Sequence, residues 1–96
     1  MRVGLLGWLE DWFASRCDGE WEHQNGIRID TLDNPGWCVT ADVGTPVANR
    51  EMAFDGDETW LDCRVSDGVF TGCGDPSQLG RIIEILQEWT GPVGHT

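Results

Sequence analysis

Gly26-Ile27-Arg28-Ile29-Asp30-Thr31-Leu32-Asp33-Asn34-Pro35-Gly36-Trp37-Cys38-Val39-Thr40-Ala41-Asp42-Val43 is the stretch from which the fold can be read. In an extended chain Ile27 and Ile29 share one face, with Arg28 and Asp30 on the other. Asp33-Asn34-Pro35-Gly36 is a strong turn signal: proline presets φ, glycine accepts positive φ, and the Asp and Asn side chains bond back to the backbone. Beyond it Trp37, Val39, Ala41 and Val43 alternate with Cys38, Thr40 and Asp42. Two such runs around one turn predict an antiparallel hairpin with one apolar and one polar face. A sheet of that kind needs cover on one side only.

The cover is predicted at the two ends of the chain. Upstream, Leu5, Trp8, Leu9, Trp12 and Phe13 recur at helical spacing, giving a helix over residues 4–16 that stops before Asp18-Gly19. Downstream, Gly44-Thr45-Pro46 breaks the chain and residues 47–54 read as a third strand. Asp55-Gly56-Asp57-Glu58 is an acidic turn. Leu61, Cys63 and Val65 alternate with Trp60, Asp62 and Arg64 in a fourth strand, and Asp67-Gly68 turns the chain into a short strand over residues 69–72. Asp75 then caps a helix with Pro76 at its first position, and Leu79, Ile82, Ile83, Leu86 and Trp89 supply its apolar stripe. Gly80 inside that helix suggests close packing against the sheet. Gly91-Pro92 stops the helix, leaving residues 91–96, with His95, as a loose tail. The expected architecture is one two-layer α+β domain over residues 1–96, a four- to five-stranded antiparallel sheet covered by an N-terminal and a C-terminal helix.

Seventeen acids stand against six arginines and no lysine, a net charge of −11 over 96 residues. That balance repels nucleic acid and anionic membranes and suits a basic partner, or simply keeps the domain soluble. The start, Met1-Arg2-Val3-Gly4, has no signal-peptide pattern, and no run approaches the roughly 18 apolar residues of a membrane span. A cytoplasmic protein with mostly reduced thiols is the default expectation. The four cysteines (17, 38, 63 and 73) lack CxxC spacing, although their number permits disulfides.

The chemistry-bearing groups concentrate in Cys17-Asp18-Gly19-Glu20-Trp21-Glu22-His23. A thiol and an imidazole here could act as nucleophile and base, with Asp18 or Glu22 orienting the imidazole. With Cys38, Cys63 or Cys73 they could also hold zinc, but the spacing matches no common zinc motif. The plainer alternative is a buried cysteine at a helix end and a histidine satisfied by a carboxylate. Asp18, Glu20 and Glu22 share one face if the segment is extended. Asp55-Gly56-Asp57-Glu58 lacks the ligand spacing of a calcium loop. Of the tryptophans left after the helices are assigned, Trp21, Trp37 and Trp60, the last falls opposite Leu61, Cys63 and Val65. On an open face, beside Asp62 and Arg64, it suits an Arg- or Lys-bearing partner.

Trp8-Leu9 with Trp12-Phe13, the 17–23 block, Gly26-Ile27-Arg28-Ile29 and Thr31-Leu32-Asp33-Asn34-Pro35-Gly36-Trp37 together resemble the immunity protein 53 family of bacterial polymorphic toxin systems. Gly44-Thr45, Trp60-Leu61-Asp62-Cys63, Phe70, Gly74-Asp75-Pro76 and the 79–89 helix extend the resemblance over nearly the whole chain. Glu20 stands where aspartate is the commoner residue, and Cys38 and Cys73 are peculiar to this chain. The resemblance implies a small cytosolic α+β protein encoded beside a toxin that it binds and blocks, with no catalytic residues and no cofactor. The expected toxin-binding residues are Asp18, Glu20, Trp21, Glu22, His23, Asp33, Trp37 and Trp60. The alternative is a small enzyme or small-ligand or metal-binding protein using Cys17, Asp18, Glu22 and His23.

Overall fold

The computed structural model describes residues 4–44 and 46–90. The elements run α1 (Gly4–Arg16), α2 (Trp21–Gln24), β1 (Ile27–Leu32), β2 (Gly36–Asp42), β3 (Arg50–Asp55), β4 (Trp60–Ser66), β5 (Val69–Gly74) and α3 (Leu79–Thr90). The strands form one antiparallel sheet in the order β1-β2-β5-β4-β3. This is the expected α+β architecture, with helices at both ends of the chain. The expected tail over residues 91–96 lies outside the described residues.

The sheet is built from three hairpins and one longer pairing. Ile29 lies opposite Val39 in the first hairpin, as its alternation requires. Asp67 and Gly68 both take positive φ (52° and 80°), the geometry of the two-residue turn between β4 and β5. The β2–β5 pairing joins the halves, with Val39 opposite Gly72 and Cys38 opposite Cys73.

One face of the sheet carries Val39, Ala41, Leu61, Cys63, Val65 and Phe70. These pack with Ile82, Ile83, Ile85 and Leu86 of α3 and with Trp8, Leu9 and Trp12 of α1 into one buried cluster. Burying each large side chain of that set is worth about 1.5–3 kcal/mol before entropy is counted. Helix α3 lies closest to the sheet because Gly72 leaves room for it. A Cβ on Gly72 would stand 2.7 Å from the Ile82 side chain and 2.9 Å from the Phe70 ring. Gly80, by contrast, is exposed, and a Cβ there would meet only Leu5 at 3.7 Å, so it marks no tight approach to the sheet.

Three boundaries differ from the sequence reading. Strand β3 begins at Arg50 rather than 47, β5 runs on to Gly74, and α3 begins at Leu79, not Pro76. Asp75 explains the last two. Its Oδ1 accepts hydrogen bonds from the Ser77 N–H (2.9 Å) and hydroxyl (2.6 Å), while its Oδ2 accepts from the Trp60 N–H (2.9 Å). Its own N–H donates to the Trp60 carbonyl at 3.1 Å, and its carbonyl accepts from Gln78. Asp75 therefore closes a turn that ties the end of β5 to the start of β4, and the helix follows that turn. Burial of the carboxylate is feasible because these donors replace its water. They also hold its carboxyl below the usual range, the Ser77 hydroxyl first and then the Ser77 N–H, with burial opposing them.

Candidate functional site

The 17–23 block is not extended. It bends through Gly19, whose φ is +98°, into the four-residue helix α2, an element the sequence reading missed. Asp18 Oδ1 accepts from the N–H groups of Glu20 and Trp21, both at 2.9 Å. Glu22 reaches back in return, its Oε1 accepting from Asp18 N–H (3.0 Å) and its Oε2 from Gly19 N–H (2.9 Å). The two carboxylates thus occupy reciprocally the backbone donors of the turn that leads into α2, whose N-cap residue, Glu20, makes no side-chain cap bond. The Trp21 N–H bond, then that of Glu20, holds the Asp18 carboxyl below its ordinary range. The shared carboxylate face expected for Asp18, Glu20 and Glu22 is absent, because that face required an extended strand.

Cys17 and His23 are both exposed. The Cys17 Sγ–H donates to the Phe13 carbonyl at 3.3 Å. Lost hydration, then the Glu22 and Asp18 carboxylates, holds its thiol above the ordinary range, the opposite of nucleophile activation. The His23 imidazole makes no hydrogen bond among the described residues, so the histidine satisfied by a carboxylate is not what forms. Among those residues no group of three or more His, Cys, Asp or Glu side chains converges as metal ligands would.

The expected binding residues fall at two opposite ends of the sheet. Asp18, Glu20, Trp21, Glu22 and His23 precede β1, whose start lies by Asp42. Asp33 is in the β1–β2 turn, at the other end of a six-residue strand, a distance of about 20 Å. Trp37 is the second residue of β2 and Trp60 the first of β4, and both stand beside Gly74 at that same far end. The tryptophans also differ in what they offer. Trp21 packs edge-on against Trp12 and Phe13, with centroids 6.2 and 5.9 Å away. Trp37 packs on the core face and its Nε1–H donates to the Pro76 carbonyl at 3.0 Å. Trp60 lies half-buried on the face that the helices leave open, opposite Leu61, Cys63 and Val65.

Trp60 borders two hollows. One, of about 370 Å³, is lined by Ala53, Phe54, Asp55, Trp60, Leu61 and Asp62. The other, of about 360 Å³, lies on the open face with Asp62, Arg64, Thr71 and Cys73. Asp62 pairs with Arg64 at 3.2 Å, both partly exposed. Asp55 ends β3, Asp57 and Glu58 follow in the adjoining turn, and all three are exposed. Phe54, 44% exposed, is the lining residue that sequence reading passed over, because an uncertain register hid its face.

Cys38 and Cys73 meet on the open face and are joined as a disulfide. This corrects the default expectation of reduced thiols for two of the four cysteines. Spacing could not reveal the pair; the β2–β5 register creates it. Cys63 is a buried free thiol, pushed up to about 12 mainly by burial, with Asp62 adding to the shift. A further hollow of about 430 Å³ is bordered by Arg16, Arg50 and Trp89. Arg16 stacks over Trp12 (5.1 Å) and Arg50 over Trp89 (4.7 Å).

A family model described as immunity protein 53 matches residues 6–91, and the chain belongs to that family. No curated protein and no solved structure matches it. Membership gives the chain an immunity-protein role, and with it a toxin partner in general terms. No helix among the described residues is long and apolar enough to cross a membrane.

Proposed function

We propose that this protein acts in the bacterial cytoplasm, where it binds a basic cognate toxin and blocks its active site with an acidic, tryptophan-bearing surface centred on Trp60. The observation carrying this reading is the position of Trp60: half-buried on the uncovered face, it walls two hollows beside Asp55 and Asp62. A toxin arginine or lysine could stack on the indole while neighbouring carboxylates pair with its charge. Asp33, Asp57 and Glu58 rim the same end and add to the field that draws a cationic partner in. Glu20 and His23, exposed at the opposite end, are secondary contacts in this account. Asp18, Glu22, Trp21 and Trp37 contribute chiefly by holding their segments in place.

The reading is tested by kinetics with the toxin domain encoded beside this chain. Trp60→Ala should raise the dissociation rate by roughly tenfold or more, as truncating a central aromatic anchor does. The association rate should fall steeply as salt rises from about 50 to 500 mM. A folded Trp60→Ala variant that bound like the parent would remove Trp60 from the interface.

A further inference from the structure

We infer that the β1 edge is a self-complementary surface through which two copies of this chain pair into one continuous sheet. β1 stands at the end of the strand order, and no strand pairs its outer side among the described residues. Which backbone groups it offers follows from one hydrogen bond: the Asp42 N–H donates to the Gly26 carbonyl at 3.2 Å. Antiparallel ladders alternate, so Arg28–Thr40 and Asp30–Cys38 are also hydrogen-bonded pairs. The N–H and C=O groups of Ile27, Ile29 and Thr31 therefore point away from β2.

A second β1 laid antiparallel about a two-fold axis at Ile29 uses all of these groups. Ile29 exchanges both bonds with Ile29 of the second copy, and Ile27 pairs with Thr31. Arg28 then falls opposite Asp30 of the second copy, and Asp30 opposite Arg28, at the closer, non-hydrogen-bonded positions where side-chain pairing is strongest. Two opposite-charge pairs form from one short sequence by symmetry. Within one chain Arg28 and Asp30 meet only loosely, at 3.6 Å and largely in water. Apolar surface is available as well: Ile29 is 41% exposed and Phe13 40%, and Phe13 borders a hollow with Leu9, Ile27 and Glu10.

The other edge shows the contrast. In β3 the Gly56 N–H bond to the Thr59 carbonyl sets the alternation and leaves Glu51, Ala53 and Asp55 facing outward. Two β3 strands centred on Ala53 would set Glu51 against Asp55 twice, a like-charge clash of the kind that guards sheet edges. The β1 edge lies across the sheet from Trp60, so pairing leaves the proposed toxin surface free. The net charge of −11 on each copy opposes association and keeps it reversible.

Sedimentation equilibrium of the full chain at about 0.15 M salt, up to millimolar protein, tests the pairing. A reversible dimer is expected. Arg28→Asp and Asp30→Arg should each weaken it about tenfold or more, and the double exchange should restore it. Amide hydrogen exchange at Ile29 should slow as protein concentration rises, a readout that needs no variant. A chain that stays monomeric, a folded double exchange that fails to restore pairing, or an Ile29 amide indifferent to concentration would overturn the proposal.

Discussion

Asp75 shows how much one side chain can fix. Its carboxylate takes three protein donors, from Ser77 and Trp60, and so sets where β4 begins and where α3 can start. Because those bonds depress its pKa, its contribution is present above the unfolded value near pH 4 and is lost as pH falls through the folded value. Asp75→Asn should therefore be less stable than the parent at pH 7. The gap should narrow by pH 3 in denaturant titrations; a gap independent of pH would remove charge from the explanation. Gly80 works the other way. It is the second residue of α3, exposed, with room for a methyl group. Gly80→Ala should stabilise the protein by about 0.4–1 kcal/mol, chiefly by restricting the unfolded chain, visible as a rise of a few degrees in Tm. The sequence marked Asp75 as the stop before the last helix, but as that helix's cap and not as the turn residue it is. Its link to Trp60 was not visible, because a contact between residues fifteen apart depends on strand register.

At the scale of elements, periodicity revealed what it could. The first hairpin, the Asp67-Gly68 turn and the stripe of α3 follow directly from alternation and turn chemistry. Helix α2 was illegible because four residues carry no period; only the turn that Asp18 and Glu22 brace in front of it marks its start. That pairing makes Glu22→Ala an element-scale variant. Exchange of the Asp18 and Gly19 amides should speed up while the sheet amides stay protected. The seam between α3 and the sheet is the tighter constraint. Gly72→Ala should cost about 1–3 kcal/mol, since the added methyl would push into Ile82 and Phe70. Urea denaturation measures this, and an unchanged midpoint would show that α3 sits farther from β5 than described. The disulfide belongs to this scale too, as Cys38 and Cys73 are distant in sequence and opposed only through β2 and β5.

For the whole molecule, the sequence singled out residue types suited to the proposed binding surface but not their arrangement. Asp33, Trp37 and Trp60 gather at one end of the sheet, and the 17–23 block lies at the other. Charge alone cannot distinguish these ends, since both are acidic. The most direct measurement is the association rate with the cognate toxin for Glu58→Lys and Glu20→Lys, which change net charge equally at opposite ends. Glu58→Lys should slow association several-fold more than Glu20→Lys. Equal slowing, or a larger effect from Glu20→Lys, would contradict a toxin surface centred on Trp60.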